Sequence, residues 1–549
     1  MSPKLKTGRS LANIFESALQ QAKAGHLHKA WNILVLNTAS LDSRELHLML
    51  DIALLSKQKS WQEESLQLLI DKQPLNYQWT NQLALLYFQA QQFTLAVGVI
   101  KSYLGKAPKN ASAWFNLAYM SKFTGDHNAS IKAYEKALML NIEGPEEVHC
   151  NIGNIYSQEL LDAEKAKYHY TKALELNTSY VQAKFNLAGL LEREGKLAEA
   201  GEAFVACAAY HDYKLKGLTR ALELIEKDQG KRQIAKELEC FLSVQSSADI
   251  SIDTVDALFS LGRFYESAGL YNDSWSCYEK ANKLDAEWRT SASVKESLDQ
   301  CELIKDSFDF SAEVPSNDTE LVFICGLFRS GSTLLESMLA THPNLISGGE
   351  IDVFRKQLLA DSNTFSAPLL LKNKLALDTI TKYLTRISEQ TNSAVDNSKL
   401  RILDKQPENF LLLGYIKKLF PKAKFVWTCR EKTNSVFSIY TQHFGLYQPY
   451  SCNLSDICTF YQQHLDLLAF WQQFYADDIK VVKYEDLVSH PSDVMSEIQQ
   501  FLGVSADSNF DKFYKSKQLV STASMAQVRK PLHKNAINRV QPYLKWMNL

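Results

Sequence analysis

A repeated pattern of small and aromatic residues constrains this chain more than any other feature. Leu83-Ala84, Leu117-Ala118, Leu187-Ala188 and Leu261-Gly262 occupy one paired position in segments that begin at Tyr77, Ala111, Val181 and Val255. Thirteen residues past the first member of each pair stand Ala96, Ser130, Ala200 and Ser274, and four residues later Ile100, Tyr134, Phe204 and Tyr278. A further segment, with Ile152-Gly153 and Tyr156, fits the pattern once one inserted residue is allowed near Glu159 to Ala163. Tyr77 and Ala111 lie 34 positions apart, and that is the period of the pattern. Small residues let two antiparallel helices approach closely, while the aromatic fills the groove between successive hairpins. The pattern predicts an α-solenoid over residues 1–305, weaker before Tyr77 and irregular between 214 and 253.

This period is that of tetratricopeptide repeats, and "AWFNLAYMSKFTGDHNASIKAYEKALML" and "GNIYSQELLDAEKAKYHYTKALEL" resemble that family closely. The resemblance implies a structural scaffold, with a concave peptide-binding groove as a common use of such solenoids.

The pattern changes after "DAEWRTSASVKESLDQ". Residues 306–319 read as a polar linker, and short apolar runs follow: 321–326, 401–404, 424–429 and 479–484. Each is β-branched or aromatic and is separated from the next by helical sequence. Such alternation predicts a parallel, doubly wound sheet over 320–549, with ligands at the carboxyl ends of its strands. The fold class expected is therefore α plus α/β, a solenoid followed by a phosphate-loop sheet domain.

At 549 residues the chain is long enough for two domains, and its net charge of −2 supplies no global field toward nucleic acid or an anionic membrane. No apolar run approaches the length of a membrane span, and the first residues lack a secretory core, which predicts a cytoplasmic protein without nucleic-acid or membrane partners. Nine cysteines without a CxxC pair fit reduced thiols. Cys452 and Cys458 have no further ligand at zinc spacing, so no metal is expected.

"GLFRSGST", 326 to 333, follows the first strand and opens a helix with Leu334, Leu335, Met338 and Leu339 on one side. A tight glycine turn feeding a helix offers free N–H groups and a favourable dipole to an anion. A nucleoside triphosphatase would use lysine at 332 for the terminal phosphates; Ser332 offers a neutral donor. Arg329, Ser330, Ser332 and Thr333 suit a phosphosulfate or diester-like anion better. In "CREKTNSVFSIY", Arg430 ends a strand and Ser438 lies eight residues on, so both can converge on one phosphate.

With these motifs in hand, residues 320–549 resemble the sulfotransferases that use 3′-phosphoadenosine-5′-phosphosulfate (PAPS), most closely the tyrosylprotein sulfotransferase-type branch joined to tetratricopeptide repeats. "FRSGSTLLESMLATHPN", "REKTNSVFS", "VVKYEDLVSHP" and "STASMAQVRKPL" resemble four of that branch's motifs, in order. The resemblance implies that Arg329, Ser330, Gly331, Ser332 and Thr333 hold the 5′-phosphosulfate, and Arg430 and Ser438 the 3′-phosphate. Tyr484, Gln527, Arg529, Lys530 and Arg539 would line the nucleotide, with PAP as the product. Glu350 and Lys405 stand at the branch's catalytic glutamate and lysine, and Ser524 at a serine that touches the leaving group.

These roles make chemical sense. A hydroxyl attacking sulfur must lose its proton, and a carboxylate accepts it; a cation and a hydroxyl stabilise the departing phosphate. His342 in "THPN" is a rival base, and Glu350 alone would read as a solvated helix-start carboxylate. One position departs from the branch: Asp352 replaces the arginine with which animal relatives engage acidic peptides, leaving Arg355 and Lys356 to compensate. A protein tyrosine is the favoured acceptor, docked by the solenoid; a carbohydrate, lipid or small phenol is the alternative. A scaffold with a degenerate nucleotide domain is a third reading. The oligomeric state stays open.

Overall fold

The computed structural model describes residues 11–246, 250–358, 373–391, 400–445, 448–515, 530–534 and 536–547. The chain divides into two compact units, Met1–Tyr180 and Val181–Leu549.

The first unit is built of helices. Hairpins pair Tyr77–Gln89 with Phe93–Lys106, Ala111–Phe123 with His127–Met139, and Pro145–Asn154 with Ala163–Leu176. Asn76, Asn110, Asp126 and Asp162 cap helix starts by accepting backbone N–H bonds. Small residues permit the close approach that the repeat implies. A Cβ on Gly153 would lie 2.6 Å from the Tyr170 ring, and the Ser130 hydroxyl donates to the Ala118 carbonyl at 2.6 Å. The extra residue near Glu159 is absorbed by a π-helical turn, Ile155–Glu159, which is how a helix takes in one residue without losing register.

The second unit joins the later helices to the sheet in one core. Hairpin Ile252–Ser267 and Tyr271–Ala286 repeats the close packing: a Cβ on Gly262 would lie 2.5 Å from the Tyr278 ring. Val255, Phe259, Trp275 and Tyr278 share an apolar cluster with Phe437 and Tyr543. Polar ties reinforce the seam: Ser274 Oγ meets Tyr543 Oη at 2.8 Å, and Asn282 Nδ2 donates to the Tyr440 carbonyl at 2.9 Å. The helical repeat is thus continuous with the sheet domain from Val181 onward.

Five parallel strands form the sheet: β1 Leu321–Gly326, β2 Leu345–Ser347, β3 Arg401–Asp404, β4 Lys424–Cys429 and β5 Ile479–Lys483. Their order is β2-β3-β1-β4-β5. The apolar runs predicted β1, β3, β4 and β5; β2 is only three residues long and carries no periodic signal. All six residues of β1 are buried, Phe323 and Cys325 in one core and Val322 and Ile324 in the other. From β1 the chain runs to β2 and β3 on one side and then crosses to β4 and β5 on the other. The crevice at this switch, beyond the carboxyl ends, is where such sheets bind ligands. Among the described residues no helix is long and apolar enough to cross a membrane.

Candidate active site

β1 delivers the chain at Gly326 into a loop that ends where the helix Ser332–Leu339 begins. Two glycines shape it. Gly326 has φ 138°, and a Cβ there would lie 2.3 Å from the Thr428 carbonyl oxygen on β4. Gly331 has φ 100°, and a Cβ would lie 2.5 Å from the Tyr484 ring. Both conformations and both close approaches require glycine. Between them Arg329 holds a left-handed φ of 67°, a strained state that accumulates at ligand-binding sites. Ser330 is committed to the loop's frame: its hydroxyl donates to the Leu327 carbonyl at 2.6 Å and meets Thr428 Oγ1 at 2.6 Å. Ser332 and Thr333 are buried in the first helical turn, whose N–H groups lack partners within the helix.

Arg430 follows β4 and precedes the helix Lys432–Tyr440. Tyr461 Oη donates to its carbonyl at 2.8 Å, and the Glu431 carboxylate caps that helix by accepting from the Thr433 and Asn434 amides. The Arg430 side chain donates to the Arg329 carbonyl at 3.3 Å and to the Ala536 carbonyl at 2.6 Å, and its guanidinium lies 4.6 Å from the Tyr484 ring centre. Its buried Nε has no hydrogen-bond partner among the described residues. Ser438, on the same helix, accepts from Arg329 Nε at 3.3 Å. The two anion motifs, 109 residues apart, are therefore in contact.

Positive charge is crowded here. Burial, then Arg539, Arg430 and Arg263, push the Arg329 pKa down to about 9. Burial likewise lowers Arg430, while burial of Tyr484 raises its hydroxyl against the opposing pull of Arg430 and Arg329. Arg539 does not present an open guanidinium. It chelates Glu266 through Nε and Nη2, the latter at 2.7 Å, and lies 5.0 Å from the Phe437 ring centre. Burial alone would lower its pKa, and Glu266 holds it above the usual arginine value.

Glu350 and Lys405 meet because the β2–β3 ladder continues past the strands. The Gly348 N–H donates to the Leu403 carbonyl at 2.8 Å and the Lys405 N–H to the Gly349 carbonyl at 2.9 Å. Their side chains form an ion pair in which Lys405 is 1% exposed and Glu350 40%. A buried ammonium facing a half-open carboxylate can serve both a leaving group and an incoming hydroxyl. Beneath them Glu336 accepts from Ser347 Oγ at 2.6 Å, and burial raises its pKa although Lys405 opposes the rise.

His342 is otherwise engaged. Its Nδ1 accepts from the Asn344 N–H at 3.0 Å, which leaves Nε2 to donate to the Ser505 carbonyl at 2.9 Å, and the residue is 3% exposed. Lys530 is exposed; Ser524, Gln527 and Arg529 lie outside the described residues. Asp352 pairs with Lys356 at 2.6 Å, and Arg355 pairs with Glu408. Sequence reasoning missed Glu266, Arg263 and Glu336. All three read as charges on ordinary helices, and only the hairpin's packing on the sheet domain, or burial under β2, distinguishes them. Among the described residues no group of three or more His, Cys, Asp or Glu side chains could hold a metal ion.

Residues 321–508 match the model of the sulfotransferase family, and residues 111–141 match that of a tetratricopeptide repeat. The chain thus carries a sulfotransferase-family domain beside a tetratricopeptide repeat. Protein-tyrosine sulfotransferase 1 of Danio rerio is 29% identical over 200 residues, covering 34% of this chain and 54% of its own length. An uncharacterized protein of Aquifex aeolicus (strain VF5) is 26% identical over 240 residues, covering 41% of this chain and 31% of its own. The chain therefore spans between about a third and about half of these relatives. Among solved structures, the sulfotransferase domain from the Synechococcus PCC 7002 olefin synthase aligns at 22% identity with a TM-score of 0.31, covering 41% of this chain and 88% of that one.

Proposed function

We propose that this chain is a sulfotransferase that moves a sulfuryl group from PAPS to an acceptor hydroxyl, with a protein tyrosine as the favoured acceptor. The observation that carries the reading is the meeting of three parts at adjacent strand ends: a glycine-only anion loop, the Arg430–Ser438 pair, and the Glu350–Lys405 ion pair. The residues fit the donor. Gly331 lets the loop pack against the Tyr484 ring at the start of the helix Ser332–Leu339, and the buried Arg430 Nε has no hydrogen-bond partner among the described residues, as suits a donor that serves an anion.

PAPS supplies the sulfuryl group and leaves as PAP. Arg329, Gly331, Ser332 and Thr333 hold the 5′ end, with Ser330 bracing the loop from within. Arg430 and Ser438 hold the 3′-phosphate; Tyr484 supports both by packing against Gly331 and beneath Arg430. Glu350, the more exposed partner of its pair, takes the acceptor's proton, while the buried Lys405 stabilises negative charge on the departing phosphate. His342 cannot serve as base while both ring nitrogens are bound to the chain. Ser524, Gln527, Arg529 and Lys530 complete the nucleotide's surroundings on this reading. The nine cysteines, none in a disulfide, suit a reducing, cytoplasmic setting.

The tyrosine acceptor follows from the motif order and from what the animal relatives are called; the tetratricopeptide repeats would dock the acceptor protein. One observation favours a less acidic acceptor, such as a carbohydrate, lipid or small phenol: Arg355 and Lys356 are already paired with Glu408 and Asp352. Transfer of labelled sulfate from PAPS to tyrosine peptides, phenols and sugars, with wild type and Glu350→Ala in parallel, decides between them. Label on tyrosine that disappears in the variant supports the favoured acceptor. Label only on sugars or phenols keeps the donor and overturns the tyrosine.

A further inference from the structure

The helix Ile252–Ser267 carries Arg263 and Glu266 one turn apart on one face. Glu266 chelates Arg539, and Arg539 lies over Phe437, the residue before Ser438. Ser438 accepts from Arg329. The charge of Arg263 acts on Arg329 together with those of Arg539 and Arg430, and Glu266 one turn away on the same helix holds Arg539.

Carboxylates meet only part of this charge. Glu266 is matched to Arg539, Glu223 is shared between Arg263 and Arg220, which also holds Glu192, and Glu485 and Glu431 act on Arg430. Arg263 spends only Nη2 on Glu223; its Nη1 is buried without a hydrogen-bond partner among the described residues, as is the Nε of Arg430. Buried guanidinium N–H groups left unmatched in an excess of positive charge are costly unless an anion completes them. The pair with Glu223 ties Arg263 to the neighbouring helix Lys214–Leu224 and accounts for Nη2, but it leaves Nη1 without a role.

We propose that Arg263 is a donor-binding residue, the guanidinium that the helical repeat contributes to the 3′-phosphate of the adenosine bisphosphate held by Arg430 and Ser438. This rests on the donor reading above. The assignment is to the 3′-phosphate because Glu266, one turn from Arg263, holds Arg539 against Phe437, the neighbour of Ser438. The repeat is then part of the nucleotide site as well as a docking surface, and a sheet domain expressed without it would lack one donor ligand.

Calorimetry of the full chain with PAP and with ADP, which has no 3′-phosphate, tests this. Arg263→Gln should weaken PAP binding about ten- to hundredfold and leave ADP within about threefold, as for loss of one charge-assisted contact to phosphate. Glu223→Gln removes the partner and keeps the guanidinium, so PAP affinity should hold or rise. PAP binding by Arg263→Gln within about twofold of wild type would overturn the inference, and so would equal losses for PAP and ADP or a loss in Glu223→Gln that copies it. A wild type that binds PAP no better than ADP would instead overturn the donor reading itself.

Discussion

Asp404 ends β3 immediately before Lys405, with its carboxyl fully buried and the Tyr383 hydroxyl donating to Oδ2 at 2.8 Å. Burial pushes its pKa up to about 7, against the lowering effect of the Tyr383 hydrogen bond and of the nearby Ile351 and Asn409 donors. A carboxyl pushed up binds its proton more tightly folded than unfolded. Its contribution is therefore most favourable at low pH and is lost as pH rises from about 4 through about 7. That rise corresponds to roughly 4 kcal/mol of stability lost by pH 8, of which about a third is already lost at pH 5. Asp404→Asn keeps an acceptor for Tyr383 and removes the ionisation. Relative to wild type, the variant should gain about 3 kcal/mol between pH 5 and pH 8, on the order of 5 °C or more in a thermal melt. Any fixed cost of the amide shifts both pH values equally and cancels in that difference. A stability difference, variant minus wild type, that is unchanged between the two pH values or lower at pH 8 would refute the reasoning.

Gly331→Ala places a Cβ at φ 100° and 2.5 Å from the Tyr484 ring. It should cost at least about 1–2 kcal/mol in a melt and weaken PAP binding in calorimetry, since Tyr484 cannot shift without moving from beneath Arg430. Lys405→Met should reduce turnover on the order of 100-fold while PAP affinity changes only a few-fold, because the lysine acts on charge that develops during transfer. His443 hydrogen-bonds Asp256 at 2.7 Å and faces Asp285; burial alone would lower its pKa, but the two carboxylates raise it to about 9. That stabilisation is fully present below about pH 6.5 and is lost as pH rises through about 9, so melts of His443→Gln should lose the alkaline slope of wild type over that window.

The repeats were legible because close packing leaves a chemical trace. Gly153 and Gly262 are small where tyrosine rings press on them, and even the inserted residue surfaced as the π turn at Ile155–Glu159. β1 is a continuous apolar run because both faces of a parallel sheet are covered at its centre, while β3, β4 and β5 carry shorter apolar stretches flanked by polar or charged residues. β2 left no trace, since three residues at a sheet edge are too few for a pattern. In the site, the glycine turn and the Arg430-to-Ser438 spacing were visible because both are local. Ser330's commitment to Thr428 and Arg539's to Glu266 were not, because each depends on a segment far away in the chain. Arg263 illustrates the limit most sharply. It sits in a helical repeat whose sequence speaks only of helix packing, and its place among the arginines arises from docking of that hairpin against the helix Lys432–Tyr440.

The central claim is that the crevice at the β1–β4 strand ends holds a 3′-phosphorylated nucleotide in one orientation, and a structure of the full chain with PAP bound tests it most directly. The account predicts the 5′-phosphate against the backbone of Arg329 to Thr333 and the 3′-phosphate against Arg430 and Ser438, with Glu350 and Lys405 beside the 5′ end. PAP bound in the reverse orientation, or at another site while this crevice stays open, would contradict it.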